Sequence, residues 1–154
     1  MGKKKLLELA RGSKLNRIKI KLGKEIIRFN LFDELVVNEN NLTDESLEQP
    51  LLYGYLGMVH QKLTRLRAEV QREVDRLRSL ALVRAKGVAD PLTLRTKPKE
   101  LAEAEAELNE EYQSKLQELD ELKYQTGILY TCLKSFEQRK DLIQTISANV
   151  RKQV

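Results

Sequence analysis

Leu119-Asp-Glu-Leu-Lys-Tyr-Gln-Thr-Gly-Ile-Leu-Tyr-Thr-Cys-Leu-Lys-Ser-Phe136 is the stretch on which the fold turns. Leu119, Leu122, Leu129, Leu133 and Phe136 recur in it at helical spacing, with no proline to interrupt them. Outward from it, Leu101, Leu108 and Tyr112 on one side, and Ile143 and Val150 on the other, keep close to one heptad frame. Thr96 or Lys97 is suited to cap this helix, with Pro98 in its first turn and Glu100 and Glu103 near its positive end. The pattern predicts a single helix from there to the C-terminus. About fifty residues at ~1.5 Å each give a rod of roughly 75 Å, longer than a second helix of this chain covers.

That second helix precedes it. Leu52, Leu56, Val59, Leu63, Leu66 and Val70 recur at steps of four and three, and Val74, Leu77 and Ala81 continue after an extra step of four. Pro50 is tolerated in a first helical turn, so the helix is expected to begin near it, after Thr43 as a helix-capping residue. It should fade at Gly87, where Val88–Lys99 with Pro91 and Pro98 marks a break. Leu35-Val-Val-Asn-Glu-Asn-Asn reads as a turn-rich connector with room for a short strand.

Nearer the N-terminus the period changes from helical to two. Arg17-Ile-Lys-Ile-Lys-Leu22, Gly23-Lys24 and Glu25-Ile-Ile-Arg-Phe-Asn-Leu31 read as a β-hairpin with a two-residue turn. Its register sets Ile20 opposite Ile27 and Ile18 opposite Phe29. The other face has Lys21 opposite Ile26 and Lys19 opposite Arg28. Like charges directly opposed are destabilising unless an anion lies between them, which makes this face a candidate phosphate contact. The same lysines would also guard a strand edge against aggregation. Residues 1–12 read as a short basic helix or a loose arm.

The expected fold is therefore mainly α: two long helices in an antiparallel helical hairpin with a small N-terminal β-hairpin, assembled as a homo-oligomer. The segments are 1–34 (basic arm and β-hairpin), 35–90 (connector and basic long helix) and 98–154 (long helix with a C-terminal oligomerisation segment). The last expectation comes from Ile128, Leu129, Leu133, Phe136, Ile143, Ile146 and Val150. With Tyr130 and Leu142 they spread over more than one helix face, wider than one antiparallel partner needs. A fold-back of the N-terminal hairpin over this segment is the alternative cover.

Charge follows the same segmentation. The chain has 28 Lys and Arg against 23 Asp and Glu. Residues 1–30 hold ten of the bases and only Glu8 and Glu25 in opposition, so the excess is entirely N-terminal. Residues 59–86 are basic and 100–121 acidic, which suits either partner binding or pairing of the two helices with each other. One Cys and one His exclude a disulfide framework and leave little for a metal site, and no phosphate-binding glycine motif is present. Cys132 reads as a packed thiol and His60 as a surface histidine or minor anion contact. Tyr53 and Tyr55 suit either the helix core or base stacking. No catalytic residue, cofactor or metal is expected, so the chain reads as a non-enzyme. No apolar run approaches a membrane span, and the basic start lacks the apolar segment of a secretory signal, so a cytoplasmic place is expected.

These features together read as a helical, oligomeric protein that binds nucleic-acid backbones without base readout. Leu35-Val-Val-Asn-Glu-Asn-Asn-Leu42, Leu51-Leu-Tyr-Gly-Tyr-Leu56, the basic helix to Gly87, and Lys123-Tyr-Gln-Thr-Gly-Ile-Leu-Tyr-Thr-Cys132 with Arg139 after it add something more specific. In order and spacing, over roughly residues 35–154, they resemble the phage recombination mediators of the UvsY type. The resemblance implies ring-like homo-oligomers of six or more subunits built through the C-terminal region. It also implies binding of single-stranded DNA and help in loading a RecA-like recombinase onto DNA covered by single-strand binding protein. DNA recombination, repair and replication would be the setting, in the host cytoplasm if the chain is phage-encoded. The family's Lys-x-Arg DNA contact falls on Ser79 and Ala81 here, a departure. Arg76-Leu-Arg78 and Arg84-Ala-Lys86 flank that spot with the same basic-x-basic spacing. The candidate DNA contacts are accordingly Arg76, Arg78, Arg84 and Lys86, joined by Lys19, Lys21 and Arg28. The alternative is a structural or adaptor coiled coil without nucleic-acid binding.

Overall fold

The computed structural model describes residues 12–87 and 97–152, with Leu15 and Glu39 by backbone alone. The expected basic arm before Gly12, the break at Pro91 and the cap at Thr96 lie outside them. The chain is mainly helical. After a 3-10 turn at Lys14–Asn16 come strands β1 (Arg17–Leu22) and β2 (Glu25–Asn30), then the short helix α1 (Leu31–Leu35). A 3-10 turn at Glu39–Asn41 leads into α2 (Leu42–Lys86), and α3 (Lys99–Glu107) and α4 (Glu110–Lys152) complete the order. Two compact units result, each drawing on both long helices: residues 1–63 with 125–154, and residues 64–124.

In the first unit the hairpin forms with the expected register, Ile18 opposite Phe29, Lys19 opposite Arg28, Ile20 opposite Ile27 and Lys21 opposite Ile26. Gly23 takes a φ of 62° in the turn, a conformation open to glycine at little cost. Ile18 and Ile20 are buried while Lys19, Lys21 and Arg28 stay exposed. The return strand stops at Asn30, one residue earlier than expected, because the Asn30 side chain accepts a hydrogen bond from the Phe32 amide and starts α1. The connector is thus helical at its beginning, with no strand.

The long helix starts at Leu42, not near Pro50. Asn38 caps the turn before it, its side chain accepting from the Asn40 amide, and Glu45 accepts from the Asn38 amide at 2.9 Å. Pro50 therefore lies inside the helix, exposed, where a proline costs ~3 kcal/mol or more. Side chains on both sides of it outweigh that cost by tying α2 to α4. Arg139 donates to Gln49 Oε1 at 2.7 Å, to the Val36 carbonyl at 3.3 Å and to Glu45. Gln49 donates in turn to the Phe136 carbonyl at 2.7 Å, and the Tyr53 hydroxyl donates to Glu137 at 2.8 Å. Glu45 meets Arg139, whereas further along α2 the His60 ring lies 6.3 Å from that of Tyr130, so the two helices run antiparallel here.

The α4 residues buried in this unit include Gln125, Leu129, Cys132, Phe136, Arg139 and Ile143, at alternating steps of four and three. This is a heptad seam, shifted from the expected one. Leu133 is only half-buried and Val150 is exposed, while polar Gln125 and Arg139 take core positions. Both are tolerated because each finds partners: Gln125 accepts from the Lys21 amide at 3.0 Å, fastening the hairpin to α4. Leu56, Val59 and Leu63 are buried on α2. The C-terminal apolar seam is therefore covered by its own chain. This corrects the expectation that Leu129, Phe136 and Ile143 await a second copy.

In the second unit Leu66 is half-buried and Val70, Val74, Leu77 and Ala81 are buried, and the successive steps of four from Leu66 to Val70 to Val74 are the expected extra step. The helix ends at Lys86, and Gly87 follows with a φ of 65°. Pro98 is the residue before α3, one place earlier than expected. The predicted unbroken helix is interrupted at Leu108 and Asn109. Asn109 accepts from the Tyr112 amide at 3.0 Å, and its own carbonyl accepts from the Gln113 amide, so it caps α4. Leu101 and Leu108 are exposed in consequence, and Ala102 and Ala106 fill the buried face of α3. Helical polarity is antiparallel here too. Arg76 holds Glu73 below the usual carboxylate range, chiefly by a hydrogen bond, with Lys115 adding to it, and Glu111 adds to the stabilisation of Arg76.

Replacing Arg139 by Ala leaves Glu45 without its cation in a setting where removing one partner of a buried pair costs about 3–5 kcal/mol. Urea denaturation of Arg139→Ala should show a loss of that order, while Arg139→Met with Glu45→Leu should recover most of it. An Arg139→Ala midpoint within error of the parent protein would show that the pair does not hold α2 to α4.

Candidate nucleic-acid interface

The hairpin concentrates cations because its period-two pattern sends every second residue outward. Arg17, Lys19, Lys21 and Arg28 are exposed, with Lys24 in the turn, and none forms an ion pair among the described residues. The face is rigidly backed: Ile18 and Ile20 are buried beneath it, and the Lys21 amide is bonded to Gln125. That bond also occupies a backbone donor of β1, so some of the strand edge is already covered. The role of the lysines as guards of that edge is reduced accordingly. Arg17 and Lys24 join the face without having been expected there, although the period that marks Lys19 and Lys21 marks Arg17 as well.

The second group behaves differently. Arg76, Arg78, Arg84 and Lys86 are all exposed near the end of α2. At about 100° per residue they are spread around roughly 240° of the helix, so no one face gathers them. Arg76 is engaged by Glu73 at 2.6 Å. Arg78, Arg84 and Lys86 have no ion-pair partner among the described residues. A structural account exists for the last two, since cations near a helix C-terminus are favoured by its dipole. Several ion pairs of the second unit run within single segments, as in Arg65–Glu69, Lys97–Glu105 and Lys115–Glu118.

The aromatic side chains divide. Tyr53 is held by Glu137, and that hydrogen bond raises its pKa above the ordinary value, which makes it a helix-interface residue. Tyr55 remains exposed. His60 is half-buried, its ring centroid 6.3 Å from that of Tyr130, and so does not stand free beside Lys62 and Arg65 as expected. Lys134 lies 5.8 Å from the Tyr130 centroid and pairs with Glu137. Between α2 and α4, beside Pro50, runs an open groove of about 520 Å³ lined by Gln49, Tyr53, Phe136, Lys140 and Ile143.

On α4, Leu129, Phe136 and Ile143 are buried, Ile128, Leu133 and Ile146 are half-buried, and Val150 is exposed. Leu142, Ile146 and Val150, at steps of four, remain as its outward apolar strip. Among the described residues no group of three His, Cys, Asp or Glu side chains could hold a metal ion, and no helix is long and apolar enough to cross a membrane. No protein-family model matches the chain, and no curated protein or solved structure is detectably similar to it.

Cys132 is 1% exposed, and burial pushes its thiol up to about 11. At pH 8 the native protein should react with a thiol-specific disulfide reagent far more slowly than the denatured protein. Because the folded state holds this proton more tightly, its contribution to stability is complete below about pH 9 and is lost as the pH rises towards 11. Equal reaction rates in native and denatured protein would contradict the packed position.

Proposed function

We propose that this protein is a non-catalytic, single-stranded-DNA-binding recombination mediator that helps load a RecA-like recombinase onto DNA covered by single-strand binding protein. The observation that carries the binding step is the exposed face of the hairpin, where Lys19, Lys21 and Arg28 stand together on a fixed support with no ion-pair partner among the described residues. Phosphates entering between Lys19 and Arg28 relieve the repulsion of the opposed cations, so the free protein is poised for a polyanion. Few aromatics are exposed nearby, which fits backbone contact without sequence preference. The mediator role itself rests on the resemblance of residues 35–154 to the UvsY type.

Arg76, Arg78, Arg84 and Lys86 act as the secondary contact in this reading, and because they are spread around α2 a strand meets only those on the side it passes. Self-association through Leu142, Ile146 and Val150 assembles a ring-like homo-oligomer, so that several hairpins engage one strand and weak single contacts become avid. The recombinase and the single-strand binding protein are the protein partners, and the cytoplasm is the place of action. The adaptor reading is favoured by one observation, the ion pairs that satisfy much of the helix charge within single helices.

Oligo-dT binding measured against salt separates the two. The mediator should bind with a steep salt dependence, and Lys19→Ala with Arg28→Ala should flatten the slope of log K against log salt by about 1.4, at ~0.7 per phosphate contact. Arg84→Ala with Lys86→Ala should weaken binding with a smaller change in slope. An adaptor shows no binding at physiological salt, and that result overturns the proposal.

A further inference from the structure

Helix α2 has a second apolar stripe that is left uncovered among the described residues. Leu47, Leu51, Tyr55 and Met58 recur at steps of four, four and three, and are 64%, 73%, 47% and 59% exposed. Rotated by about 120° from the buried face that includes Leu56, Val59 and Leu63, they form a separate surface. Scattered exposed leucines need no explanation, but four large apolar side chains in line on one helix do.

The charges at the two ends of the stripe identify what covers it. Glu48 lies at one end and Lys62 at the other; both are exposed, and neither has an ion-pair partner among the described residues. They stand seven residues before and seven after Tyr55. A second copy laid antiparallel across the stripe, with a two-fold axis at Tyr55, sets Glu48 against the partner's Lys62, and does so twice. The same operation brings Leu51, four residues before the axis, beside the partner's Met58, three residues after it, twice over, and sets Tyr55 against its own equivalent. A parallel arrangement sets Glu48 on Glu48 and Lys62 on Lys62. Gly54, exposed and with open space where a Cβ would stand, sits beside the axis and lets the two backbones approach. The stripe is thus self-complementary in shape and charge under one symmetry operation.

We propose that α2 pairs with α2 of a second copy through this stripe, forming an antiparallel two-fold dimer. The pairing is separate from DNA binding and from association through α4. One helix pair buries less than a standard protein interface, so dissociation is on the order of micromolar.

Sedimentation equilibrium of the full chain tests it, across a concentration range and without nucleic acid. Glu48→Lys and Lys62→Glu each place two like-charge contacts in the dimer and should weaken it about tenfold or more. Both contacts are complementary again when the two single variants are mixed, so the mixture should form heterodimers with near-parental affinity. Glu48→Lys with Lys62→Glu in one chain should do the same as a homodimer. Both side chains are exposed, and circular dichroism verifies that the variants keep their helices. Association unaffected by either single variant, a mixture no stronger than its components, or a monomer at every concentration overturns the proposal. Association through α4 alone gives the first of these results.

Discussion

A guanidinium inside an apolar helix seam sets the terms for the first unit of this chain. Arg139 occupies a heptad core position between Phe136 and Ile143, where a charge without partners would cost several kcal/mol. It survives because three acceptors converge on it: the carbonyl of Val36 in the connector, and the carboxylate of Glu45 and the amide side chain of Gln49 on α2. Its Nε remains buried with no hydrogen-bond partner among the described residues. A hydrophobic residue of similar volume could hold the helices together as firmly. What the arginine adds is uniqueness, because sliding α2 against α4 by one heptad strands a charge. We read it as a registry device.

The consequences extend to both candidate surfaces. By fixing Glu45 and Gln49, the arginine anchors α2 on both sides of residues 46–48 and carries the helix through Pro50, where local propensity predicts a boundary. The stripe from Leu47 to Met58 exists as one continuous helical face only because the helix does not stop there. Gln125 has a comparable role at the other end of the seam. Its side chain fastens β1 to α4 and turns the lysines of the hairpin outward. A polar residue at a core position, in each case, converts a generic apolar seam into a defined placement.

Covering the C-terminal seam within one chain also changes how assembly must work. Had Leu129, Phe136 and Ile143 been open, the strongest apolar surface would have driven self-association by itself. Since they are buried, the apolar surface left on the first unit includes narrower strips, Leu142 to Val150 on α4 and Leu47 to Met58 on α2. Narrow strips give modest affinities that respond to concentration and to salt. Such contacts suit the function proposed above, in which copies gather on a strand and avidity strengthens their association only while the strand is present.

Local rules settled much of this molecule before any contact was considered. The period of two over Arg17–Leu22 and Glu25–Asn30 set the hairpin, its register and its cationic face. Helical spacing set the two long helices, and Gly87 set the end of the first. Their reach ended where a side chain far away in sequence decided. Pro50 looks like a helix start unless Arg139 and Glu137 are known to hold the residues around it. Asn109 looks like an exposed heptad residue, although its side chain ends one helix and caps the next. The face of α4 that enters the core keeps Leu129, Phe136 and Ile143 but takes Gln125, Cys132 and Arg139 in place of Leu133 and Val150, and the two polar residues are held there by their hydrogen-bond partners. Which cations share a surface was likewise a tertiary outcome: a strand gathers Lys19, Lys21 and Arg28 on one side, whereas a helix spreads Arg76, Arg78, Arg84 and Lys86 around its circumference. Period and capping are properties of neighbours along the chain. Burial of a polar group is a property of whatever the fold brings to meet it.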